Sequence, residues 1–194
     1  MLDLEPTARQ MANLLERVAD GRLTAPTPCG DYTLGDLIDH VGGLSQAFTA
    51  AAKKELGPES SQGPSGDAAR LGRDWRTRIP GQLAALVEAW RNPTAWDGMT
   101  RAGSIDLHAD VAGRVALNEL IIHGWDVARA TGQPFDFDTQ SLEACWELLT
   151  ERSAGDQEAG DDDPFGPVVE VPADAPLLDR LIGLSGRNPS WTAE

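Results

Sequence analysis

Apolar side chains recur every three or four positions along most of this chain, a spacing that places them on one face of an α-helix. The pattern predicts helices over residues 6–20, from Thr33 past Phe48, over about 68–91, over 111–130, over about 138–153 and over 174–184. No convincing run of alternating apolar and polar residues marks a set of strands. The pattern therefore predicts an all-α fold in which the helices pack as a bundle.

Residues that start and stop helices support these boundaries. Thr33 is predicted as the N-cap of the second helix, with Asp36 three residues later in a variant of the capping box. Pro80 is expected to kink or divide the third helix, because proline lacks the N–H that the helical ladder needs. The central helix is expected to have Asp110 as its N-cap and Gly132 as its end.

The length of 194 residues fits one domain with a sizeable core. We expect the bundle core over about residues 6–153, a mobile acidic loop over 155–166 and an irregular C-terminal extension over 167–194. Gly, Ser and Pro dominate residues 57–66, which favours a flexible loop. The segment 94–110 is predicted as an irregular hairpin or a loop.

The net charge of −15 argues against a nucleic-acid partner and against anionic membrane surfaces, because the chain has no basic stripe. No apolar run approaches the roughly 20 residues that a membrane helix needs. The N-terminus is acidic and amphipathic, unlike a signal peptide, so the expected location is the cytoplasm. Cys29 and Cys145 are too few and too far apart for a disulfide framework or a CxxC metal knuckle, and packing roles are expected for both.

The central helix contains the residue pair that carries the most chemistry. Glu119 and His123 are four residues apart, so both lie on one helical face, roughly 6 Å apart along the axis. One interpretation is a polar pair satisfied within the core; the other is two thirds of a metal site. His40 lies beside the apolar stripe of the second helix, either as a buried histidine bonded to a carbonyl or as a third ligand. Two imidazoles and one carboxylate suit zinc, iron or nickel.

Two neighbours of His123 are candidates for the surroundings of this site. Asp126 follows His123 by three positions, so it could orient that ligand or touch substrate. The alternative for Asp126 is a salt bridge to Arg129 or Arg187. Trp125 is expected either to pack in the core or to form the wall of a pocket. His108, the third histidine of the chain, is expected to be exposed.

Four motifs resemble one known family over nearly the whole chain. They are T-P-C-x-x-Y-T-L-x-D-L-I-x-H-V at 27–41, N-P-T-A-W-D-G at 92–98, N-E-L-I-I-H-G-W-D-V-A-R-A-T-G at 118–132 and L-x-G-L-S-G-R-N-P at 181–189. The chain resembles the DinB-like superfamily, and within it the actinobacterial branch related to the metal-binding domain of mycothiol-dependent maleylpyruvate isomerase. Tyr32 stands where that branch often has tryptophan.

The resemblance implies a four-helix bundle that binds a divalent metal, usually zinc, through His40, Glu119 and His123. It also implies a thiol such as mycothiol or bacillithiol as co-substrate, in S-transfer to a small electrophile or in isomerisation. The isomerase has a separate C-terminal domain, and the chain after Gly132 is too short for it, so maleylpyruvate isomerisation itself is not expected. The alternative is a bundle that holds a metal or ligand without turnover. The expected partners are a small-molecule substrate and, through an exposed helix face, a second copy of the chain.

Overall fold

Helices make up most of the described chain, with one short hairpin between the third and the fourth. The computed structural model describes residues 1–30, 32–55, 57, 63–154 and 167–193, and of residues 152–154 it describes the backbone alone. The elements are α1 Glu5–Glu16, α2 Leu34–Lys53, α3 Trp75–Trp90, β1 Met99–Ala102, β2 Ile105–His108, α4 Ala109–Thr131, α5 Thr139–Ala154 and α6 Leu177–Leu184. Short 3-10 turns occupy Asp20–Arg22, Ala68–Arg70 and Pro93–Trp96.

Helices α1 to α4 form a four-helix bundle, as predicted. Glu5 at the start of α1 pairs with Arg91 just beyond the end of α3, so these two helices are antiparallel. Helices α2 and α3 are parallel, because Trp90 at the end of α3 donates its indole N–H to the Phe48 carbonyl late in α2. A parallel pair needs a long connection, and residues 54–74 supply it. Apolar side chains from all four helices fill the common core.

The relative direction of α2 and α4 decides where the candidate site lies. Thr100, a few residues before α4, donates its hydroxyl to the Ala51 carbonyl near the end of α2. The two helices are therefore antiparallel, and the middle of α2 lies beside the second half of α4. Helix α5 packs against α4, and α6 packs against α5, where the Arg180 guanidinium stacks 4.3 Å from the Trp146 ring. The C-terminal segment is thus brought back to the bundle.

The predicted start of α2 and the predicted end of α4 are confirmed, but the predicted start of α4 is wrong. Thr33 and Asp36 form a reciprocal capping box, and Gly132 ends α4 with a φ of 70°. Helix α4 begins at Ala109 with His108 as its N-cap, because the hairpin leads directly into it. Asp110 lies in the first turn instead, where its negative charge interacts favourably with the positive end of the helix dipole.

The third predicted helix is divided, although not at Pro80. Its first part is the 3-10 turn, and Gly72, with a φ of +69°, interrupts the chain before α3 starts. The left-handed conformation is available to glycine at little cost and ends the helical ladder there. Pro80 lies inside the continuous helix α3 and forfeits only the bond to the Arg76 carbonyl.

Helices α1 and α6 are shorter than the sequence predicted. Helix α1 ends at Glu16, four residues early, and a 3-10 turn follows after Ala19. Helix α6 starts at Leu177 and not at 174, because Pro176 disfavours a helical conformation for the residue before it. The predicted acidic loop at 155–166 lies outside the described residues. Within the described residues, no helix has the length and apolar character needed to span a bilayer.

Candidate metal centre

The antiparallel packing of α2 and α4 brings three potential metal ligands together. His40 lies in α2, and Glu119 and His123 lie one turn apart in α4. One nitrogen or carboxylate oxygen from each residue lies within 4.8 Å of the others. The structure therefore places all three sequence-predicted ligands in one cluster, which is the convergence that a shared cation requires.

His123 is held between two carboxylates. Its Nε2 lies 3.0 Å from an oxygen of Glu119, and its Nδ1 lies 3.0 Å from Oδ2 of Asp126. Burial by itself lowers the pKa of His123, but the hydrogen bonds and charges of Asp126 and Glu119 outweigh it and raise the pKa to about 9. In the protein without metal, His123 is thus an imidazolium that donates to both carboxylates. Burial opposes ionisation of Glu119, yet the two histidines and Arg187 keep its pKa below the usual value.

His40 is neutral, and a hydrogen bond to a backbone carbonyl decides which of its two ring nitrogens carries the proton. Its Nδ1 lies 2.7 Å from the carbonyl oxygen of Pro64, in the connection between α2 and α3, so Nδ1–H donates there and Nε2 is left with a lone pair. Burial, with the nearby charge of His123, lowers the pKa of His40 to about 4. Tyr32 packs against the same ring, and its hydroxyl accepts the Gly66 N–H, which ties the connection to α2.

Asp126 is fully buried and shared between two cationic groups. Besides His123, it contacts Arg187, whose Nη2 lies 3.2 Å from Oδ2 and whose Nε lies 3.4 Å from Oδ1. Of the two arginines considered from the sequence, Arg187 is the partner of Asp126, and the guanidinium of Arg129 lies over the Trp125 ring instead. Asp126 therefore contacts a predicted ligand, as one interpretation of the sequence required.

The other residues named from the sequence lie elsewhere or have packing roles. Trp125 is buried in the apolar core, so its place as the wall of a binding pocket stays a prediction. His108 is exposed at the end of β2, as expected, and it is not part of the three-residue cluster. From the sequence, Arg187 is predicted only as an alternative partner of Asp126. The signal for it was its place in the closing G-R-N-P motif.

The donor set fits a divalent cation. Two imidazole nitrogens and a carboxylate oxygen are ligands that zinc, nickel and iron accept, and three protein ligands leave coordination positions open. Each imidazole has its other nitrogen on an oxygen acceptor, Pro64 for His40 and Asp126 for His123, as ligating histidines in proteins almost always have. The Glu119 side chain keeps 17% of its surface exposed, so the cluster is not sealed from solvent.

A known protein family matches most of the chain, including the residues of the cluster. The family described as the mycothiol maleylpyruvate isomerase N-terminal domain matches residues 4–128, a range that includes the three clustered residues and Asp126 but not Arg187. Two uncharacterized proteins of Mycobacterium tuberculosis, from strains CDC 1551 / Oshkosh and H37Rv, are each 31% identical to the chain over an alignment of 186 positions, and the match covers 91% of this chain and 91% of each relative. No solved structure gives a significant match.

Proposed function

This chain belongs to the family of the mycothiol maleylpyruvate isomerase N-terminal domain, and we propose that it is a metal-dependent enzyme that acts on a small electrophile with a low-molecular-weight thiol. Mycothiol is the first candidate for that thiol. The observation that carries the proposal is the convergence of His40, Glu119 and His123 within 4.8 Å. A cluster of this composition on two different helices has the donors for a cation and the open positions for a thiol.

His40 Nε2, His123 Nε2 and the Glu119 carboxylate would hold the cation, with zinc first and nickel or iron as alternatives. When bound, such a cation supplies positive charge that favours the thiolate form of a thiol, the form that is nucleophilic. The negative charge of Glu119 offsets part of the cationic charge in a poorly solvated place. Two neutral imidazoles would complete the set, so His123 must release the proton that it shares with Glu119.

The remaining groups of the site hold these donors in place. The Pro64 carbonyl fixes the tautomer and rotation of His40, and Asp126 does the same for His123. Tyr32 and the neighbouring apolar side chains limit the access of water to the imidazoles. In S-transfer, the thiolate sulfur forms a bond to an electrophilic carbon, and the displaced group leaves with the bonding electron pair. In an isomerisation, the sulfur instead adds to a carbon–carbon double bond, whose π pair moves to the neighbouring carbon; that pair re-forms the double bond when the carbon–sulfur bond breaks and releases the thiolate.

Cys145 does not provide this thiol. It is completely buried, and burial raises the pKa of its thiol far above the usual value, so a reactive thiolate does not form there. A thiol from solution is consistent with the family relationship and with a site that reaches solvent beside Glu119.

A thiol panel tests the proposal. Metal-loaded protein is incubated with mycothiol, bacillithiol, glutathione or cysteine and a chromogenic electrophile, and loss of the thiol and formation of the thioether are followed. We expect turnover with at least one thiol, its loss in His40→Ala and after chelation, and its retention in His108→Ala, which alters an exposed histidine outside the cluster. Stoichiometric metal without turnover with any thiol would replace the enzyme by the alternative, a metal- or ligand-binding bundle without catalysis.

A further inference from the structure

The segment that follows α6 packs against the proposed metal centre. The side chain of Arg187 is 10% exposed and reaches Asp126 in α4, 61 residues earlier in the chain. Its Nε and Nη2 lie 3.4 and 3.2 Å from the two oxygens of the Asp126 carboxylate, and Nη1 donates to the Ser185 carbonyl at 2.9 Å. The guanidinium thus donates hydrogen bonds to both oxygens at once, which fixes the plane of the carboxylate.

The same carboxylate orients one of the three clustered residues. Oδ2 of Asp126 lies 3.0 Å from Nδ1 of His123, and the Asp126 side chain has no exposed surface. With Arg187 in place, water therefore does not reach that carboxylate. A histidine ligand keeps its ring direction only if the acceptor on its other nitrogen is itself fixed, and loss of such an acceptor typically weakens metal binding by about 10- to 100-fold.

Arg187 is itself held by the local fold. Leu181 and Ile182 of α6 are buried, and the backbone N–H of Arg187 donates to the Ile182 carbonyl. The turn between them uses Gly186 with a φ of +80°, a conformation that suits glycine. These backbone features fix the position of Arg187 and direct its side chain towards Asp126.

We propose that Arg187 is a positioning residue of the metal centre: by donating hydrogen bonds to both carboxylate oxygens of Asp126, it holds His123 in the orientation needed for metal binding. This inference rests on the proposed function, since the contact positions nothing unless a metal binds. It extends the site beyond residues 4–128, the range shared with the family, into the C-terminal segment. The ion pair also contributes to stability, so the test must separate stability from metal binding.

Zinc affinity of the metal-free protein, measured by competition with a chromophoric chelator below the unfolding temperature of each variant, makes that separation. Arg187→Met is expected to bind zinc about 10- to 100-fold more weakly than the wild type. Arg187→Lys is expected to lie between the two, because an ammonium cannot grip both carboxylate oxygens. The matched control is Arg129→Met, which removes another arginine contact to the same segment and is expected to leave zinc affinity unchanged.

A cycle of variants tests the route through Asp126. Asp126→Asn should weaken zinc binding to a similar degree, and the double variant with Arg187→Met should bind no more weakly than the weaker single variant, because both changes remove one contact chain. The absorption spectrum of the Co²⁺-loaded protein should shift in Arg187→Met and not in Arg129→Met. If Arg187→Met does not fold, the comparison of Arg187→Lys with Asp126→Asn decides the question.

Two outcomes would overturn the inference, and they differ. If the wild type binds zinc and both the affinity and the Co²⁺ spectrum of the Arg187 variants match it, Arg187 is a structural residue alone while the proposed function stands. If the wild type binds no divalent metal, the proposed function fails and the positioning role fails with it.

Discussion

The imidazole rings of His40 and His123 meet edge to face, with centroids 4.9 Å apart and planes at 87°. In the protein without metal they have opposite protonation states, since the pKa of His40 is lowered to about 4 and that of His123 is raised to about 9. The difference arises from their partners. His40 bonds to a carbonyl, whereas His123 lies between two carboxylates. A cation between the rings would require both to be neutral.

Metal content should depend on these two histidines and not on the third. We expect about one divalent metal per purified wild-type chain, and its loss in His40→Ala and His123→Ala, because each change removes one of three protein ligands. His108→Ala is the matched control, and it should keep the metal. Elemental analysis with protein quantification measures all four proteins. Equal content in the wild type and the cluster variants would eliminate the site.

The stability of the metal-free protein should pass through a maximum near pH 6.5. His123, with a raised pKa, contributes stability that is complete below its unfolded-state pKa of about 6.5 and is lost as the pH rises through about 9. His40, with a lowered pKa, is protonated more readily when unfolded, so stability falls as the pH drops from 6.5 towards about 4. Urea denaturation in chelator at a series of pH values measures both limbs.

Variants assign the two limbs of that profile. His123→Gln should flatten the alkaline limb, and His40→Gln should flatten the part of the acid limb between about pH 6.5 and 5, above the range in which most carboxyl groups titrate. A rise of the pKa of His123 from 6.5 to about 9 corresponds to roughly 3 kcal/mol, so the alkaline loss should be measurable. An alkaline limb of the same size in His123→Gln would show that another group causes it.

Two glycine-to-alanine substitutions should have opposite effects on stability. A Cβ at Gly113 in α4 would lie 2.5 Å from the Trp96 ring and 3.0 Å from the Trp90 ring, so overpacking of about 1–3 kcal/mol should exceed the gain in helix propensity. Gly81 in α3 is exposed with open space around it, so Gly81→Ala should raise the free energy of unfolding by about 0.5–1 kcal/mol. Chemical denaturation compares both with the wild type. A stabilised Gly113→Ala would mean that the two tryptophans can move apart.

Asn118 offers a further test of the core. It is completely buried, and neither atom of its side-chain amide has a hydrogen-bond partner among the residues that the structure describes. Asn118→Leu has a similar shape and removes a desolvation cost of roughly 1–3 kcal/mol, so it should stabilise the protein. Asn118→Ala, which opens a cavity, is the comparison. A destabilised leucine variant would mean either that the amide is bonded to buried water or that the core has no room for the larger leucine side chain.

Interactions between residues close in the chain could be predicted from the sequence. The Thr33–Asp36 capping box and the end of α4 at Gly132 depend on a few adjacent residues, and the structure has both. The proximity of Glu119 and His123 follows from helical geometry alone. The division of the third helix was predicted at Pro80 but occurs near Gly72, because Pro80 costs α3 a single hydrogen bond, whereas the left-handed conformation of Gly72 ends the helical ladder.

By itself, then, the sequence determined the helices and the two ligands that one helix presents. That His40 approaches Glu119 and His123 was only one interpretation of the sequence, which the family resemblance favoured. Tertiary structure decided how α2 runs past α4, which carbonyl bonds to His40 and which arginine grips Asp126. The last two contacts join residues 24 and 61 positions apart. Local hydrogen bonds and helical periodicity act over about four residues, and so they cannot specify such contacts. These depend on the packing of apolar faces contributed by the whole chain.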